Sequence, residues 1–324
     1  MNRHGLLIIL GAALLAATGG MALAQPFPAK PIRLILPYPP GGGTDTISRP
    51  FVRKMAENIG QQVLIDNRGG AGGNIGMEVA ARAAPDGYTV VMGLTAQLAV
   101  NPALFPKIPY DPLKDFEPIM MFANGGYLLV AHPSLPVKNA AELIAIAKRR
   151  PGELLYASSG NGSGGHLASE LFNVMAGIRT SHVPYKGGGQ ALVDTAAGQT
   201  QLLFTPPISS AGHVASGRLL ALGVSTTKRI SSMPQLPTIA ESGVPGYDSG
   251  VWYAMLAPRG TPPAIISRLH EEFRKVLADP AYRDFLVKSG IEPEGGSPEE
   301  LARYIRSELV KWARVVKEAN IKMD

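Results

Sequence analysis

The sequence predicts an α/β fold in which helices cover the faces of a parallel sheet. Apolar runs typical of strands alternate with helix-like stretches along most of the chain, and this alternation favours parallel strands joined by helices. The chain has 324 residues, 45% of them hydrophobic and 17% charged, so it can bury a sizeable core and is not expected to be disordered. At roughly 150 residues per domain, this length suggests two domains.

The strand predictions rest on short apolar runs. They lie at 32–37, 63–65, 89–92, 127–131, 154–157, 201–204, 219–224 and 252–257. The first helix is expected to reach about Asn58, and it contains Pro50. Because proline removes one backbone hydrogen bond, we expect a kink or a late start in this helix. After the last apolar run the sequence predicts helices without strands, so the C-terminal part is expected to pack on a sheet that is already formed.

Two helix starts are marked by capping residues. Asn139 and Glu142 form an N-cap pair, and Ser297 is followed by Glu300 in a capping box. The helix after Ser297 places these apolar residues near one face: Leu301, Ile305, Trp312, Val316 and Ala319.

The N-terminus has the layout of a secretory signal peptide. Arg3 supplies a basic start, residues 5–18 carry no charge, and 22–24 (Ala-Leu-Ala) form a small-x-small cleavage site. The apolar segment is shorter than the ~20 residues that span a bilayer, so we expect cleavage after about Ala24 and not a retained anchor. Residues 1–24 are therefore expected to direct the protein to the periplasm.

The composition disfavours several ligand classes. The chain has no cysteine, so neither a disulfide nor a thiolate metal site can form. The net charge is +6, and the scattered basic residues form no stripe with interleaved aromatic residues, as nucleic-acid binding would need. No pair of histidines has the i, i+4 spacing of a helical metal site. The sequence predicts no metal, no cofactor and no nucleic-acid partner.

A glycine-rich loop at 39–45 (Pro-Pro-Gly-Gly-Gly-Thr-Asp) lies between a predicted strand and a predicted helix. Glycine leaves backbone N–H groups accessible, and the start of a helix attracts anions. The loop is therefore a candidate anion site. Thr44 and Asp45 are also ordinary N-cap residues, so a tight turn with a helix cap is the alternative.

A second glycine-rich loop, at 158–166, also precedes a predicted helix. Three of its glycines match the dinucleotide pattern G-x-G-x-x-G, but no acidic residue follows about 20 positions later. A nucleophile elbow centred on Ser163 would need glycine two positions earlier, where the chain has Asn161. The interpretation that remains is a helix start rich in hydroxyls and amides, which suits a carboxylate.

Two further glycine-rich segments carry weaker signals. Residues 183–190 place three glycines before a predicted helix, and a flexible loop explains them equally well. Residues 67–76 are dense in glycine, and close packing between elements explains them better than ligand binding does.

Several segments taken in order resemble one protein family. Residues 37–45 resemble the opening loop of the Bug-type, or tripartite tricarboxylate transporter, substrate-binding proteins. The resemblance continues at 66–76, 85–88, 101–102, 183–188, 237–241 and 257–262, and spans nearly all of 30–324. Any one segment is unspecific, whereas the ordered set is typical of this family.

The resemblance implies a two-lobed, type II-like periplasmic binding protein that closes around its ligand like a Venus flytrap. Each lobe would be a mainly parallel sheet flanked by helices, with the ligand cleft between the lobes. The first lobe would comprise 26–125 plus 250–324, and the inserted second lobe 126–249. The implied function is that of an extracytoplasmic receptor, monomeric, which binds a small organic carboxylate and delivers it to the membrane permease subunits of a tripartite transporter.

The resemblance also implies a site in which backbone amides, hydroxyls and ordered water from both lobes hold a carboxylate. It places the following residues there: Tyr38, Gly42, Gly43, Thr44, Asp45, Thr95, Gln97, Ser158, Ser163, His166, Tyr185, Gly188 and Thr205. The family often has aspartate at the position of Thr205. The loss of that negative charge favours a plain organic acid over an amino acid as the ligand.

Two other functions stay open at this point. One is a secreted α/β hydrolase that uses Ser163 and His166, although Asn161 and the lack of an obvious orienting acid count against it. The other is a ligand-sensing partner of a signalling system, which the sequence does not separate from a transport receptor. No catalytic residue is assigned, and we expect the protein not to be an enzyme.

Overall fold

Two β-sheets form the centre of the computed structural model, which describes residues 27–318. The strands are β1 (Ile32–Leu36), β2 (Val63–Asn67), β3 (Thr89–Leu94), β4 (Phe116–Gly125), β5 (Leu128–Ala131), β6 (Leu155–Ser158), β7 (Ser181–Pro184), β8 (Leu202–Thr205), β9 (Leu220–Val224), β10 (Val251–Pro258) and β11 (Ile291–Gly295). The expected signal peptide, its cleavage site and Ala319 lie outside the described residues.

Helices flank both sheets. They are α1 (Gly43–Ile59), α2 (Asn74–Ala81), α3 (Asn101–Leu104), α4 (Ala140–Arg149), α5 (Gly164–Ala176), α6 (Gly188–Ala196), α7 (Pro207–Ala215), α8 (Pro263–Ala278), α9 (Pro280–Lys288) and α10 (Pro298–Glu318). A 3₁₀ turn at Ala71–Gly73 precedes α2, and a π-helical turn at Ala96–Val100 precedes α3.

The two sheets have different strand orders, and both are mixed. The first has the order β11-β4-β10-β3-β1-β2 and the second β7-β6-β8-β5-β9. In the first sheet β1 is parallel to β2 and β3, whereas β10 is antiparallel to β3 and β4. In the second, β6 is parallel to β7 and β8, whereas β5 is antiparallel to β8 and β9. Mainly parallel sheets were expected, and this detail is corrected.

The chain crosses between the sheets twice, and the crossings explain two of the antiparallel pairs. β4 runs toward the second sheet and β10 runs back from it, so these two neighbours are antiparallel. The same holds for β5 and β9 on the other side. Ser225 joins the crossing segments: its Oγ accepts a hydrogen bond from the N–H of Tyr127 at 2.8 Å and donates one to the carbonyl of Ser249 at 2.8 Å.

Helix α1 begins at Gly43 and contains Pro50, so the expected late start is not found. Its apolar face is fully covered, since Ile47 and Phe51 are 0% exposed and Met55 is 1% exposed. Burial of this face stabilises the helix and offsets the backbone hydrogen bond that is lost at Pro50.

The C-terminal part contains a strand that the sequence pattern did not predict. β11 pairs antiparallel with β4 at the edge of the first sheet, and within it only Ile291 is buried. A strand is predicted from apolar residues that alternate with polar ones, and a single buried residue gives no such alternation. The sequence pattern therefore did not distinguish β11 from a loop. The helix start that follows is confirmed: the N–H of Ser297 donates to the Glu300 carboxylate at 2.7 Å, and the N–H of Glu300 donates to Ser297 Oγ at 3.2 Å.

The buried face of α10 is also as predicted. The apolar residues that lie on it within the described chain are Leu301, Ile305, Trp312 and Val316. Glu308 lies among them and accepts hydrogen bonds from two indoles, that of Trp252 at 3.0 Å and that of Trp312 at 3.1 Å. This shared acceptor fixes α10 against β10 of the first sheet.

Candidate ligand-binding cleft

Three helix starts meet at one cavity between the two sheets. The N-terminal residues of α1, α5 and α6 all line it, and its volume is about 60 Å³. Its wall consists of Tyr38, Pro39, Gly42, Gly43, Thr44, Leu94, Tyr127, Ser159, Gly164, Gly165, Gly188, Leu203, Phe204, Thr205, Pro206 and Tyr253. We call this space the first cavity. Among residues 27–318, no charged side chain belongs to its wall.

The start of α1 contributes backbone N–H groups without a capping side chain. Gly42 is the N-cap residue and has no side chain that could accept from the first turn. Since the first N–H groups of a helix have no acceptor within the helix, those of Gly43 and Thr44 are available at the cavity wall.

Asp45 follows these residues but is turned away from the cavity. It is 3% exposed, and its carboxylate accepts from the N–H of Gly41 at 3.1 Å. Arg49 donates two hydrogen bonds to it, at 2.8 and 3.1 Å, and Asn67 Nδ2 donates a third at 3.3 Å. The carboxylate therefore holds the loop before α1 in place.

The start of α5 is capped, but only in part. Ser163 Oγ accepts from the backbone N–H of His166 at 3.5 Å, which leaves the N–H groups of Gly164 and Gly165 at the wall of the first cavity, where that of Gly164 interacts with the Tyr38 hydroxyl. The side chain of His166 accepts from the N–H of Gly162 at 3.2 Å through Nδ1. Ser163 and His166 thus shape this loop from behind the wall.

Two stacked histidines support the same loop. The rings of His166 and His182 lie 4.4 Å apart between centroids, and His182 Nε2 lies 2.6 Å from Ser158 Oγ. Burial, helped by the neighbouring His182, lowers the pKa of His166 to about 3. The ring of His166 is therefore neutral at physiological pH, and its Nδ1 can accept the N–H of Gly162.

The start of α6 resembles that of α1. Its N-cap residue, Gly187, also lacks a capping side chain, and Gly188 lines the first cavity. A methyl group built on Gly187 would lie 2.9 Å from Pro39 Cγ. Glycine is therefore required here because the loop before α1 comes so close.

The two halves of the cleft touch each other around the cavity. A methyl group on Gly43 would lie 2.8 Å from Pro206 Cγ, and one on Gly72 would lie 2.5 Å from the carbonyl oxygen of Asn161. Gly43 begins α1 and Gly72 precedes α2, which both flank the first sheet, whereas Pro206 and Asn161 belong to loops of the second. Loops from the two sheets therefore contact each other beside the first cavity.

Three tyrosines close the remaining wall of the first cavity. Tyr38 accepts a hydrogen bond from Gln97 Nε2 at 2.8 Å, and Tyr127 and Tyr253 lie beside it. Burial raises the pKa of Tyr38 to about 12, against the opposing effect of its hydrogen bonds. Burial also raises the pKa of Tyr127 and Tyr253, with a smaller contribution from the neighbouring tyrosines. All three hydroxyls therefore keep their protons at neutral pH.

A larger space, about 770 Å³, adjoins the first cavity and shares Tyr38, Pro39 and Ser159 with it. The other residues of its wall are Pro40, Asn67, Gly69, Gly70, Ala71, Gly72, Gly73, Phe105, Gly160, Asn161, Pro184, Tyr185 and Lys186. We call it the second cavity. Within the described chain, Lys186 is the one charged side chain in its wall.

The structure divides the residues expected at the site into two groups. Those in the wall of a cavity are Tyr38, Gly42, Gly43, Thr44, Tyr185, Gly188 and Thr205. Those that lie behind the walls of both cavities are Asp45, Thr95, Gln97, Ser158, Ser163 and His166. The members of the second group are all buried and hold neighbouring backbone or side-chain groups by hydrogen bonds.

Gln97 and Thr95 illustrate the second group. Gln97 Nε2 donates to Tyr38 and to the carbonyl of Gly72, the latter at 2.6 Å, while its Oε1 accepts from the N–H of Leu94 at 3.1 Å. Thr95 Oγ1 accepts from the N–H of Trp252 at 2.8 Å and so joins β3 to β10 near the crossing. Both residues position the wall and do not form it.

The cavity walls also contain residues that the sequence did not assign to a site. Tyr127, Tyr253 and Ser159 line the first cavity, and Asn67 and Lys186 line the second. The segment at 67–76, which was expected to reflect close packing, supplies Gly70–Gly73 to the wall of the second cavity. The high glycine content of this segment could have indicated its place in the wall. For Tyr127 and Tyr253 the sequence gives no such indication, because an aromatic residue in an apolar strand is equally expected in the hydrophobic core.

The arrangement of Ser163 and His166 does not form a nucleophile and a base. In the described chain, Ser163 Oγ contacts the backbone N–H of His166, while the imidazole accepts from Gly162. A hydrolase needs the hydroxyl to donate to the imidazole, which a third group orients. Both side chains are 0–1% exposed and lie behind the cavity wall, so the geometry supplies no support for the hydrolase alternative.

Residues 27–318 contain neither a metal-binding cluster nor a membrane-spanning helix. No group of three or more His, Asp or Glu side chains is placed to hold a metal ion. Within the same residues, no helix combines the length and the apolar character that crossing a bilayer requires.

Comparison with known proteins decides the family. A family model described as the tripartite tricarboxylate transporter family receptor matches residues 47–321. The chain belongs to this family of receptors. Among curated proteins, BugT of Bordetella pertussis is 37% identical to this receptor over 327 residues, which cover 100% of both chains. The Bug-type resemblance drawn from the glycine-rich segments is confirmed.

Solved structures share the fold of this receptor. The periplasmic binding protein BugD has a TM-score of 0.88 and 30% identity, with 92% of this chain and 100% of BugD covered. The R. palustris protein Rpa4515, solved with adipate, has a TM-score of 0.88 and 38% identity, with 91% and 99% covered. The two-lobed fold class is confirmed, and a periplasmic solute receptor accounts for the chain where a hydrolase does not.

Proposed function

We propose that this receptor holds a small organic carboxylate in the first cavity and presents it to the membrane permease subunits of a tripartite transporter. The observation that supports the proposal is the meeting of three helix starts at a cavity whose described wall has no charged side chain. A helix start stabilises an anion by typically 0.3–1 kcal/mol, and by up to about 2 kcal/mol where it is partly buried. Two of the three starts lack a capping side chain, so a ligand can take that place.

The second cavity supports a ligand with a second carboxylate. It adjoins the first and shares Tyr38, Pro39 and Ser159 with it, and its wall carries the Lys186 ammonium and the Asn67 amide. Rpa4515 was solved with adipate, which has a carboxylate at each end. We infer that a linear dicarboxylate places one end at the helix starts and the other near Lys186.

The proposed roles of the site residues follow their positions. Direct contact with the ligand is assigned to the cavity-wall residues Tyr38, Gly42, Gly43, Thr44, Tyr185, Gly188 and Thr205. Positioning roles are assigned to Asp45, Thr95, Gln97, Ser158, Ser163 and His166, which lie behind the walls. No residue is given a catalytic role.

We further propose that lobes at 26–125 plus 250–324 and at 126–249 close about the crossing segments. A ligand favours closure only if it binds the closed form more tightly than the open one. Contacts from both lobes supply that difference, because they exist together only in the closed form. The mature receptor would act as a monomer in the periplasm after cleavage at about Ala24.

Thermal unfolding with a panel of acids tests the proposal. We expect at least one mono-, di-, tri- or aromatic carboxylic acid to raise the Tm by several degrees, since a ligand at 100 times its Kd stabilises the folded state by about 2.7 kcal/mol. Adipamide, which keeps the length of adipate without its charges, is the control and should give no shift. If no acid of the panel shifts the Tm, the receptor does not bind a small carboxylate and the proposal is wrong.

A further inference from the structure

We propose that Tyr127 and Tyr253 recognise the ligand directly, by donating hydrogen bonds from buried hydroxyls to the carboxylate in the first cavity, beside a third donor, Tyr38. The inference rests on the proposed function and names the side chains that carry it. Tyr127 lies in the crossing segment and Tyr253 in β10, so the two donors come from parts of the chain that are far apart in sequence.

The hydroxyls of Tyr127 and Tyr253 lack partners where partners are normally found. The two residues are 8% and 1% exposed and both belong to the wall of the first cavity. Neither hydroxyl forms a hydrogen bond with another residue of 27–318. Neither oxygen is among the fully buried side-chain atoms that lack a partner, so each reaches the space inside the cavity. Polar groups at such a position normally find a hydrogen-bond partner. Two such groups facing one cavity indicate a ligand that accepts from them.

Other buried tyrosines show the usual arrangement. The hydroxyl of Tyr247 donates to the carbonyl of Ala168 at 2.7 Å, and that of Tyr282 donates to the carbonyl of Ile47 at 2.9 Å. Tyr247 and Tyr282 both lie outside the walls of the first and second cavities. The missing partners are therefore a property of the cavity and not of buried tyrosines in this fold.

The Tyr127 hydroxyl lies directly against the start of α5. A methyl group built on Gly164 would overlap its oxygen, so the hydroxyl occupies the space beside the first N–H groups of that helix. The Gly164 N–H already interacts with the Tyr38 hydroxyl, so an anion held by the amide of Gly165 is within reach of both Tyr38 and Tyr127. The absence of a side chain at Gly164 is what permits this approach.

The proton of Tyr38 is directed by Gln97. The amide of Gln97 is fixed in orientation, because its Nε2 donates to the carbonyl of Gly72 and its Oε1 accepts from the N–H of Leu94. Gln97 Nε2 must then donate to the Tyr38 oxygen as well, at 2.8 Å. The oxygen of Tyr38 is used as an acceptor by Gln97, so its own hydrogen is free to point into the cavity.

The three hydroxyls thus match an ionised carboxylate, which accepts hydrogen bonds and donates none. Burial keeps all three protonated, as the raised pKa of Tyr38, about 12, illustrates. Hydrogen bonds to a charged group are stronger than those between neutral groups, and the loss of one typically weakens binding roughly 10- to 100-fold. In the ligand-free protein the hydroxyls of Tyr127 and Tyr253 have no hydrogen-bond partner within the described chain, and the bound ligand supplies one.

Phenylalanine substitutions test the inference, because they remove only the hydroxyl. For Tyr127→Phe and Tyr253→Phe we expect roughly 10- to 100-fold weaker binding of adipate, or of the panel acid that the wild type binds, measured by titration calorimetry. The Tm of the ligand-free variants should be equal to or higher than that of the wild type. Tyr282→Phe is the matched control: it loses an internal hydrogen bond, so its Tm should fall while its affinity stays unchanged.

The outcomes separate this inference from the proposed function. If the wild type binds none of the acids, the proposed function is wrong. If the wild type binds one of them and both cavity variants bind it equally well, the function stands and the tyrosines are not donors to the ligand. A lower Tm in the ligand-free cavity variants, as in Tyr282→Phe, would also overturn the inference, since it would reveal a structural role for the hydroxyls.

Discussion

The first and second cavities adjoin, yet they are built from different chemistry. The first holds about 60 Å³ and presents helix-start amides and tyrosine hydroxyls, whereas the second holds about 770 Å³ and presents glycine backbone, Asn67 and Lys186. A backbone amide is kept when its side chain changes, whereas a wall formed by side chains changes with each substitution. Under the proposed function, we therefore expect the first cavity to bind the group common to carboxylate ligands, and the second to discriminate between the rest of their structures.

The two cavities also differ in how tightly the lobes meet around them. Near the first, Gly43 is so close to Pro206 that no side chain fits between them. Around the second, the wall leaves room for a longer ligand. Changes at the first cavity should therefore affect closure for every ligand, while changes at the second should affect some ligands more than others.

The largest effect is expected from Gly43→Val. The added side chain would meet Pro206 Cγ at about the 2.8 Å found for a methyl group, which is closer than carbon atoms approach without displacement. Overpacking of this kind costs about 1–3 kcal/mol, and here it opposes closure, so binding of any panel acid should weaken roughly 10- to 100-fold. Titration calorimetry measures the loss, and thermal unfolding measures the stability of the ligand-free protein.

Gly212→Val is the control for this substitution. Gly212 lies in α7, and a methyl group built on it would have no neighbour within 4 Å. We expect unchanged affinity in this variant. If Gly43→Val loses stability in proportion to its loss of affinity, the glycine-rich loop at 39–45 is only a structural turn. The two cavities would then not differ in how they affect closure.

An effect on pH dependence is expected from His166, which supports the loop between the cavities. Its pKa is lowered to about 3 in the folded state, below the ordinary value of 6.5. The unfolded chain therefore binds more protons between these values, and the stability that neutral His166 contributes is present above about pH 6.5 and is lost as the pH falls toward 3. Between pH 7 and pH 5 the wild type should lose about 2 kcal/mol of unfolding free energy from this group.

His166→Gln removes this titration, so its unfolding free energy should fall less between pH 7 and pH 5 than that of the wild type. Denaturant unfolding at the two pH values measures the difference. His132→Gln is the control, because His132 lies near the surface beside Ser134 and not behind the cleft. Equal pH dependence in the wild type and in His166→Gln would show that the loop is not held by a neutral buried imidazole.

Much of the fold could be predicted from the sequence, because its elements carry local signals. The capping box at Ser297 and Glu300 predicted where α10 begins, and the apolar runs predicted eight of the eleven described strands at least in part, but not β4, β7 or β11. β11 was missed because an edge strand with one buried residue has no apolar period. The antiparallel pairs follow from where the chain crosses between sheets, which no local pattern records.

The walls of the proposed site could be predicted where the backbone forms them and not where side chains form them. The glycines at 41–43 and 187–189 indicated accessible amides at helix starts, and both loops lie at the first cavity. Tyr127 and Tyr253 gave no such signal, because a tyrosine in an apolar strand is expected to lie in the hydrophobic core. Conversely, Asp45 and His166 were expected at the ligand but lie behind the wall, since a motif gives the position of a residue and not the direction of its side chain.

The smallest effect is expected from Lys186→Met, and it sharpens the comparison most directly. Lys186 is exposed, and exposed ion pairs contribute about 0.2–1 kcal/mol, so binding of a dicarboxylate such as adipate should weaken no more than about fivefold. A monocarboxylate of the same length, hexanoate, should bind Lys186→Met and the wild type equally, because it places no charge in the second cavity. Lys148→Met, which removes an exposed lysine outside both walls, controls for the change in net charge. If adipate and hexanoate lose affinity equally, Lys186 does not distinguish the two ends of the ligand, and the second cavity is not where a second carboxylate lies.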